Sequence, residues 1–147
     1  MMKRKAKILF VEQQASGECR ILLGKRISSG ETFWWIPGGS VEQGESDFDA
    51  GLRELDEELI LSDTYLAALN AFIKSDTNPS KIEYQSANAD NIIFIVPMFH
   101  LEEELPRIID EFEELQWFPL HALPENMSRE FQYIQEGFME QVKSLFM

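Results

Sequence analysis

The sequence predicts an α/β or α+β fold in which a mixed β-sheet is flanked by helices. Three observations lead there. Short apolar runs bounded by turn residues fall before, between and after two stretches with helical spacing. At 147 residues, with 44% hydrophobic and 12% aromatic content, the chain can bury one substantial core and is short for two domains, so residues 1–147 read as one domain. No internal repeat, low-complexity tract or linker interrupts it.

The elements follow in chain order. "KAKILFVE" (5–12) and "CRILLGKRI" (19–27) are apolar runs separated by "QQASGE", whose Ser16-Gly17 is a turn signal, and they read as a β-hairpin. "SSGE" (28–31) is a second turn. "TFWWIP" (32–37) is a short extended piece, because Pro37 pushes Ile36 away from the helical region. Ser46 followed three residues later by Asp49 resembles a capping box and starts a helix that runs to about residue 59. Phe48, Leu52, Leu55 and Leu59 give that helix one narrow apolar stripe for the core.

"TYLAALNAFIKS" (64–75) has ambiguous periodicity and reads as strand, followed by a long polar loop over 76–90. "NIIFIVPMFHL" (91–101) is the clearest strand: its continuous apolar run implies burial on both faces, with Pro97 at a bulge or edge. "EEELPRIIDEFEE" (102–114) is a charged connection with room for a short helical turn, and "LQWFPL" (115–120) is a further strand. From Met127 or Ser128 onward, Phe131, Ile134, Phe138, Val142 and Leu145 recur at helical spacing, which predicts a second helix closing the domain.

Charge and cysteine content narrow the function. With 26 acidic against 13 basic residues the net charge is −13, which repels a nucleic-acid backbone and offers no counterion-release drive to bind one. A phosphate compound would need a positive mediator, and a metal ion is the natural one. "MMKRKAKILFVEQQ" reaches charge after four apolar residues, so it does not read as a signal peptide, and no run approaches membrane-spanning length. A single cysteine, Cys19, allows no intrachain disulfide and suits a reducing cytoplasm.

The stretch from Gly38 to Leu59, "GGSVEQGESDFDAGLRELDEEL", carries the chemistry. Gly39 and Gly44 have the glycine spacing of a P-loop, but Glu45-Ser46 stand where Lys and Ser or Thr should follow, so an anion replaces the required cation. An EF-hand over "DFDAGLRELDEE" fails because only the first two Asp fit and the apolar stripe runs through the would-be loop. At about 100° per residue, Glu54, Glu57 and Glu58 form one acidic helix face. Like charges at such spacing cost a few tenths of a kcal/mol each, roughly, and a divalent cation reverses the sign. Three carboxylates on adjacent turns offer hard oxygen ligands to Mg²⁺ or Mn²⁺, and Gly51, one turn earlier, has no side chain to obstruct the approach. A solvated acidic face is the alternative reading.

From Gly39 the segment runs Gly, five residues, Glu45, seven residues, Arg53-Glu54-Leu55, one residue, Glu57-Glu58, preceded by "WWIPGG". It resembles the Nudix box, over Gly39 to Leu61, with Ile60 in place of the usual Gly. That Gly would end the helix in the left-handed conformation, which a β-branched residue resists, so the helix exit must differ, as by running on toward Ser62-Asp63.

The resemblance implies a Nudix-like α/β/α sandwich and hydrolysis of a nucleoside diphosphate linked to another group, such as a nucleoside triphosphate or nucleotide sugar. It implies Mg²⁺ or Mn²⁺ as cofactor, held by Glu54, Glu57 and Glu58. Glu45 would add to the metal site or pair with Arg53, and Arg53 would orient carboxylates; the Gly38-Gly39 backbone could approach metal or phosphate closely, and a tight structural turn explains the pair equally well. An Asp49–Arg53 helix pair is the alternative for that arginine. With a metal present, a carboxylate-only site can hydrolyse an anion with water and no covalent nucleophile. Glu54 is the first choice of general base, and Glu111 or Glu113 the second. Arg26, with Lys25, is a candidate phosphate contact or an edge-strand charge. Trp35, with Trp34 and Phe33, could stack on a base or pack in the core, and Tyr84 in the polar loop is a candidate substrate contact. His100 and His121 show no metal spacing and take no role. The partner implied is a small nucleotide derivative, with a homodimer as the family-level expectation. A non-catalytic Nudix-fold domain that binds a nucleotide derivative is the rival reading.

Overall fold

The computed structural model describes residues 3–74, 80–98 and 105–146. In chain order the elements are strands β1 (Lys3–Gln13), β2 (Cys19–Ser28), β3 (Glu31–Trp35) and β4 (Gly38–Ser40), helix α1 (Asp47–Glu58), β5 (Leu59–Ile60) and α2 (Asp63–Ile73). Then come β6 (Lys81–Gln85), β7 (Ala89–Met98), β8 (Arg107–Ile108), β9 (Glu114–Pro119) and α3 (Phe138–Lys143), with 3₁₀ turns at Leu120–Ala122, Arg129–Tyr133 and Ser144–Phe146.

The large sheet is mixed, in the order β3-β2-β1-β7-β6, with β4 paired to β1 and β9 to β2. β1 and β7 run parallel from Lys3↔Ala89 to Glu12↔Met98, and the other pairs are antiparallel. β1 and β2 meet only from Val11↔Ile21 to Gln13↔Cys19. Beyond that point they splay. β4 takes over the edge of β1 and β3 that of β2, and the Ile8 N–H reaches across to the Pro37 carbonyl at 3.1 Å. The glycines of β4 are thereby set into the opening between the two central strands.

Strand alternation distributes the core to both faces. Ile8 and Phe10 pack with Leu55 and Leu59 at the end of α1 and with Tyr65 and Leu69 of α2. Leu9, Val11, Ile21, Leu23, Ile93 and Ile95 point the other way, under Trp34, Ile134, Phe138 and Val142. β7 is buried on both faces as its continuous apolar run predicts, and Pro97 lies past the end of β6, where no ladder among the described residues on that side needs its missing N–H.

Three expectations are corrected. Residues 63–73 are helix, not strand: Tyr65 and Leu69, four apart, bury one stripe, the Tyr65 ring meets Phe10 edge-on at 5.1 Å, and the Ala- and Leu-rich composition favours the helix once that stripe is covered. The long polar loop is interrupted, since Lys81–Gln85 pair with β7, and Tyr84 therefore stands in a strand. The C-terminal segment is not one helix. Gly137 adopts φ 78°, a left-handed hinge, and splits a 3₁₀ turn from α3, while Ile134, Phe138 and Val142 still reach the core.

Residues 75–79 and 99–104 lie outside the described residues, and with them His100, the start of the loop read at 76–90, the end of the strand read at 91–101 and the start of the charged connection. Among the described residues no helix is long and apolar enough to cross a membrane. Cys19 is buried and unpaired.

Candidate active site

The acidic helix is anchored before its glutamates are reached. Ser46 Oγ accepts the Asp49 N–H at 3.2 Å, the N-cap contact read from the sequence. Asp47 takes a two-point bond from Arg4 of β1, both at 2.7 Å, and the guanidinium holds that carboxyl below its ordinary range. Gly51 faces β1, where an added Cβ would meet Ile8 at 3.2 Å. Its part is close packing of α1 on the sheet, not clearance for an ion above the glutamates.

The exit of α1 explains Ile60. Leu59 leaves the helix extended (φ −136°, ψ 150°), and Leu59 and Ile60 pair with Ile108 and Arg107 as a two-stranded ribbon. Ile109 and Asp110 donate their N–H groups to the Glu58 carbonyl at 2.7 and 3.3 Å. The helix stops at Glu58 rather than running on to Ser62-Asp63, and a β-branched residue suits the strand that replaces the usual glycine turn.

Arg53 gathers most of the acids. Its Nε and Nη2 hold the two oxygens of Glu45 at 2.8 and 3.0 Å, Nη2 also reaches the Ser40 carbonyl at 2.9 Å, and Nη1 contacts Glu54 at 3.1 Å and Glu57 at 3.3 Å. Asp49 is not its partner. The side-chain bonds from Arg53 hold the Glu45 carboxyl below its ordinary range, and those same carboxylates raise the pKa of Arg53. The Glu54 carboxyl lies against Gly39, where any Cβ would collide with it. That glycine is required by close approach.

Glu58 has a different setting. It is 2% exposed, whereas the side chain of Glu57 is 59% exposed. One oxygen meets Arg26 at 3.4 Å and the other, Oε2, is buried without a hydrogen-bond partner. Burial pushes the carboxyl up to about 8, while Arg26 and the Gly38 N–H pull it down. Arg26 also bonds Glu111 at 2.8 Å and lies over the Phe112 ring at 4.8 Å, so Glu111 is brought to the cluster; among the described residues Glu113 makes no side-chain hydrogen bond or ion pair there.

Among the described residues no three Asp, Glu, His or Cys side chains converge closely enough, as they stand, to hold a metal ion. Arg53 draws Glu54 and Glu57 to itself while Arg26 holds Glu58. The donor set nonetheless fits a hard divalent cation: the candidates are carboxylate oxygens, one is buried and unpartnered among the described residues, and Gly39 lets the Glu54 carboxylate lie directly against the main chain.

The aromatic candidates lie elsewhere. Trp34 and Trp35 are buried, Trp35 edge-on to Phe131, and Lys25 sits over the Trp34 ring at 5.9 Å. Phe33 packs at the edge of the same core. The Tyr84 hydroxyl donates to Glu130 at 2.9 Å, and His121 is exposed in a 3₁₀ turn. Sequence reasoning missed the Arg26–Glu58 contact and Lys7, a buried lysine whose only trace is a charge inside the run "KAKILFVE".

The family model described as NUDIX domain matches residues 2–140. Among solved structures, the chain is similar to a Caenorhabditis elegans Ap4A hydrolase in a binary complex, with TM-score 0.59 and 16% identity over 98% of this chain and 96% of that one. It is also similar to a MutT NUDIX hydrolase from Burkholderia pseudomallei (TM-score 0.58, 24% identity, 95% and 97% covered). A third likeness is to a bifunctional NMN adenylyltransferase/ADP ribose pyrophosphatase from Francisella tularensis complexed with AMP and a Mn ion (TM-score 0.59, 20% identity, 97% of this chain and 42% of that one). At these identities the likeness is one of fold. No curated protein matches the chain.

Proposed function

This chain belongs to the Nudix domain family, and from that premise we propose that it hydrolyses a diphosphate bond in a nucleoside diphosphate linked to another group, using Mg²⁺ or Mn²⁺. We read residues 1–147 as one such domain, with a small nucleotide derivative as substrate. Glu58 carries the reading: a buried carboxylate with an oxygen that no donor among the described residues meets, at the end of the helix bearing Glu54 and Glu57. Burial of that charge costs stability, and Arg26 meets only one of its oxygens, at 3.4 Å, which leaves room for a further cationic partner at the other. The Mn ion and AMP in the Francisella neighbour support the same metal and ligand classes.

When bound, a divalent ion supplies positive charge to the diphosphate oxygens and acidifies water. Glu54, Glu57 and Glu58 would hold it, with Glu45 and the Gly39 backbone beside them. Arg53 keeps Glu45, Glu54 and Glu57 within one guanidinium's reach and so limits their wandering. Arg26, between Glu58 and Glu111, is the cation best placed to turn toward a phosphate oxygen. Glu54, pressed against Gly39, is the first candidate to take the proton from water, and Glu111 is the second.

A second reading, a nucleotide-binding domain without hydrolysis, is favoured by the carboxylates not converging as they stand. One experiment decides. The protein and a Glu57→Gln, Glu58→Gln variant are incubated with Mg²⁺ or Mn²⁺ and nucleoside triphosphates, nucleotide sugars, dinucleoside polyphosphates and ADP-ribose. Cleavage by the parent and not the variant is expected. No cleavage by the parent refutes the hydrolase reading, and equal cleavage by the variant refutes the site.

A further inference from the structure

Lys7 stands where a core-facing strand position would ordinarily carry an aliphatic residue. It shares a face of β1 with Leu9 and Val11, is opposite Ile93 in the ladder, and is 5% exposed. Burial pulls the ammonium down to about 8 against the attraction of Glu130, so the charge is kept at a cost. An ammonium has three hydrogens to donate. Lys7 gives one to Asn91 Oδ1 at 3.0 Å, while Glu130 Oε1 stands at 3.9 Å, an ion pair too long for a hydrogen bond. Its donor capacity exceeds what its described neighbours accept.

The surroundings say what it could meet. Lys7 is opposite Gly38 in the β1–β4 ladder, and a Cβ there would run into its stem. The same Gly38 lies near enough to Glu58 for its N–H to pull that carboxyl's pKa down, so one glycine stands between the lysine and the acidic cluster. On the far side Glu130 accepts the Tyr84 hydroxyl, and the Tyr84 ring stacks on Tyr133 at 6.2 Å and 16°, leaving Tyr133 45% exposed. A donor, an acceptor and an exposed aromatic ring lie together. Lys7 and Glu130 balance each other's charge, and the Glu130 carboxylate would oppose another phosphate. A neutral heterocycle fits better: its edge offers acceptors and donors, and its flat face can stack.

We propose that Lys7 and Glu130 form the subsite that reads the heterocyclic base of the substrate, deciding which nucleotide is accepted rather than taking part in P–O cleavage. The proposal rests on the nucleoside-diphosphate reading of the acidic cluster. The competing role, a tie that holds the Arg129–Tyr133 turn to the sheet, predicts no dependence on the base.

The test is calorimetric titration of AMP, GMP, CMP, UMP and inorganic pyrophosphate, with Mg²⁺ present, into the parent, Lys7→Met and Glu130→Gln. The parent should favour one base by about tenfold or more, the scale on which a site built for hydrogen bonding rejects a mismatched group. Both variants should lose that preference and keep their pyrophosphate affinity. Methionine suits the apolar neighbours of Lys7, and glutamine keeps an acceptor for Tyr84, so thermal melts should find both variants folded. A parent that binds all four bases alike, or none, overturns the proposal. So do variants that keep the preference, or a pyrophosphate affinity that falls in step, which would make Lys7 a phosphate contact. Because binding is read without turnover, a protein that selects a base through Lys7 but cleaves nothing would refute the hydrolase reading and support this one.

Discussion

Replacing Glu58 with Gln should change how the stability of the metal-free protein depends on pH. Burial lifts this carboxyl from 4.5 to about 8. Between those values the native state holds a proton that the unfolded chain has released, so stability falls as pH rises through the window. The cost is absent below the unfolded value, grows through neutrality and is complete above the folded one. At about 1.4 kcal/mol for each pH unit, the span sets a ceiling of about 5 kcal/mol. Relaxation and water penetration reduce such penalties, and roughly half the ceiling is a realistic expectation. Urea unfolding in EDTA at about pH 5, 7 and 9 measures it as the variant's stability minus the parent's. That difference should grow with pH by about 2 to 3 kcal/mol. The carboxyls of Glu45 and Asp47, held low by arginines, are common to both proteins and cancel. A difference that is flat or shrinks with pH would refute the assignment of Glu58 as a buried acid that Arg26 only partly neutralises. Adding Mg²⁺ should flatten the parent's pH dependence by supplying countercharge beyond that of Arg26.

Arg53→Lys should lower kcat by about 10²-fold with a smaller change in KM, because a single ammonium cannot span Glu45, Glu54, Glu57 and the Ser40 carbonyl together. Steady-state rates on whichever nucleotide is cleaved would check it, and a lysine variant matching the parent removes Arg53's positioning role. Gly24→Ala should destabilise by about 1–3 kcal/mol, since its Cβ would enter the Phe112 ring and displace the surface on which Arg26 lies. A denaturant midpoint unchanged from the parent would contradict that packing.

Local signals made much of this molecule readable in advance. The helix over Asp47–Glu58 is announced by Ser46, by the Phe48 to Leu59 stripe and by the glutamate spacing, all of which depend on neighbours within a few turns. β7 is announced by an apolar run that only a two-sided environment can bury. The segment 64–75 reads ambiguously from sequence because its periodicity is weak until Phe10 and β7 supply something for Tyr65 and Leu69 to cover. Gly137 is visible in the sequence, yet the apolar spacing on either side survives the break and disguises it. The site divides in the same way. Glu54, Glu57, Glu58 and Arg53 share a helix and can be placed by angle alone. The pairing of Arg26 with Glu58, and the burial of Lys7 behind Gly38, depend on where β1 and β2 part, which no local pattern encodes.

The ribbon of Leu59–Ile60 with Arg107–Ile108 also has a bearing on the order of folding. A glycine-terminated helix would complete its own end from residues next to it in the chain. Here the helix end waits for a distant segment, and the loop that must close first carries an entropic cost before any contact repays it. The helix can nucleate early from its cap and its stripe, with all three glutamates present but its last turn free to fray. Only when Ile109 and Asp110 arrive to bond the Glu58 carbonyl is the position of that acid settled. A chain emerging during synthesis therefore possesses the whole acidic motif well before the helix that carries it has a finished end.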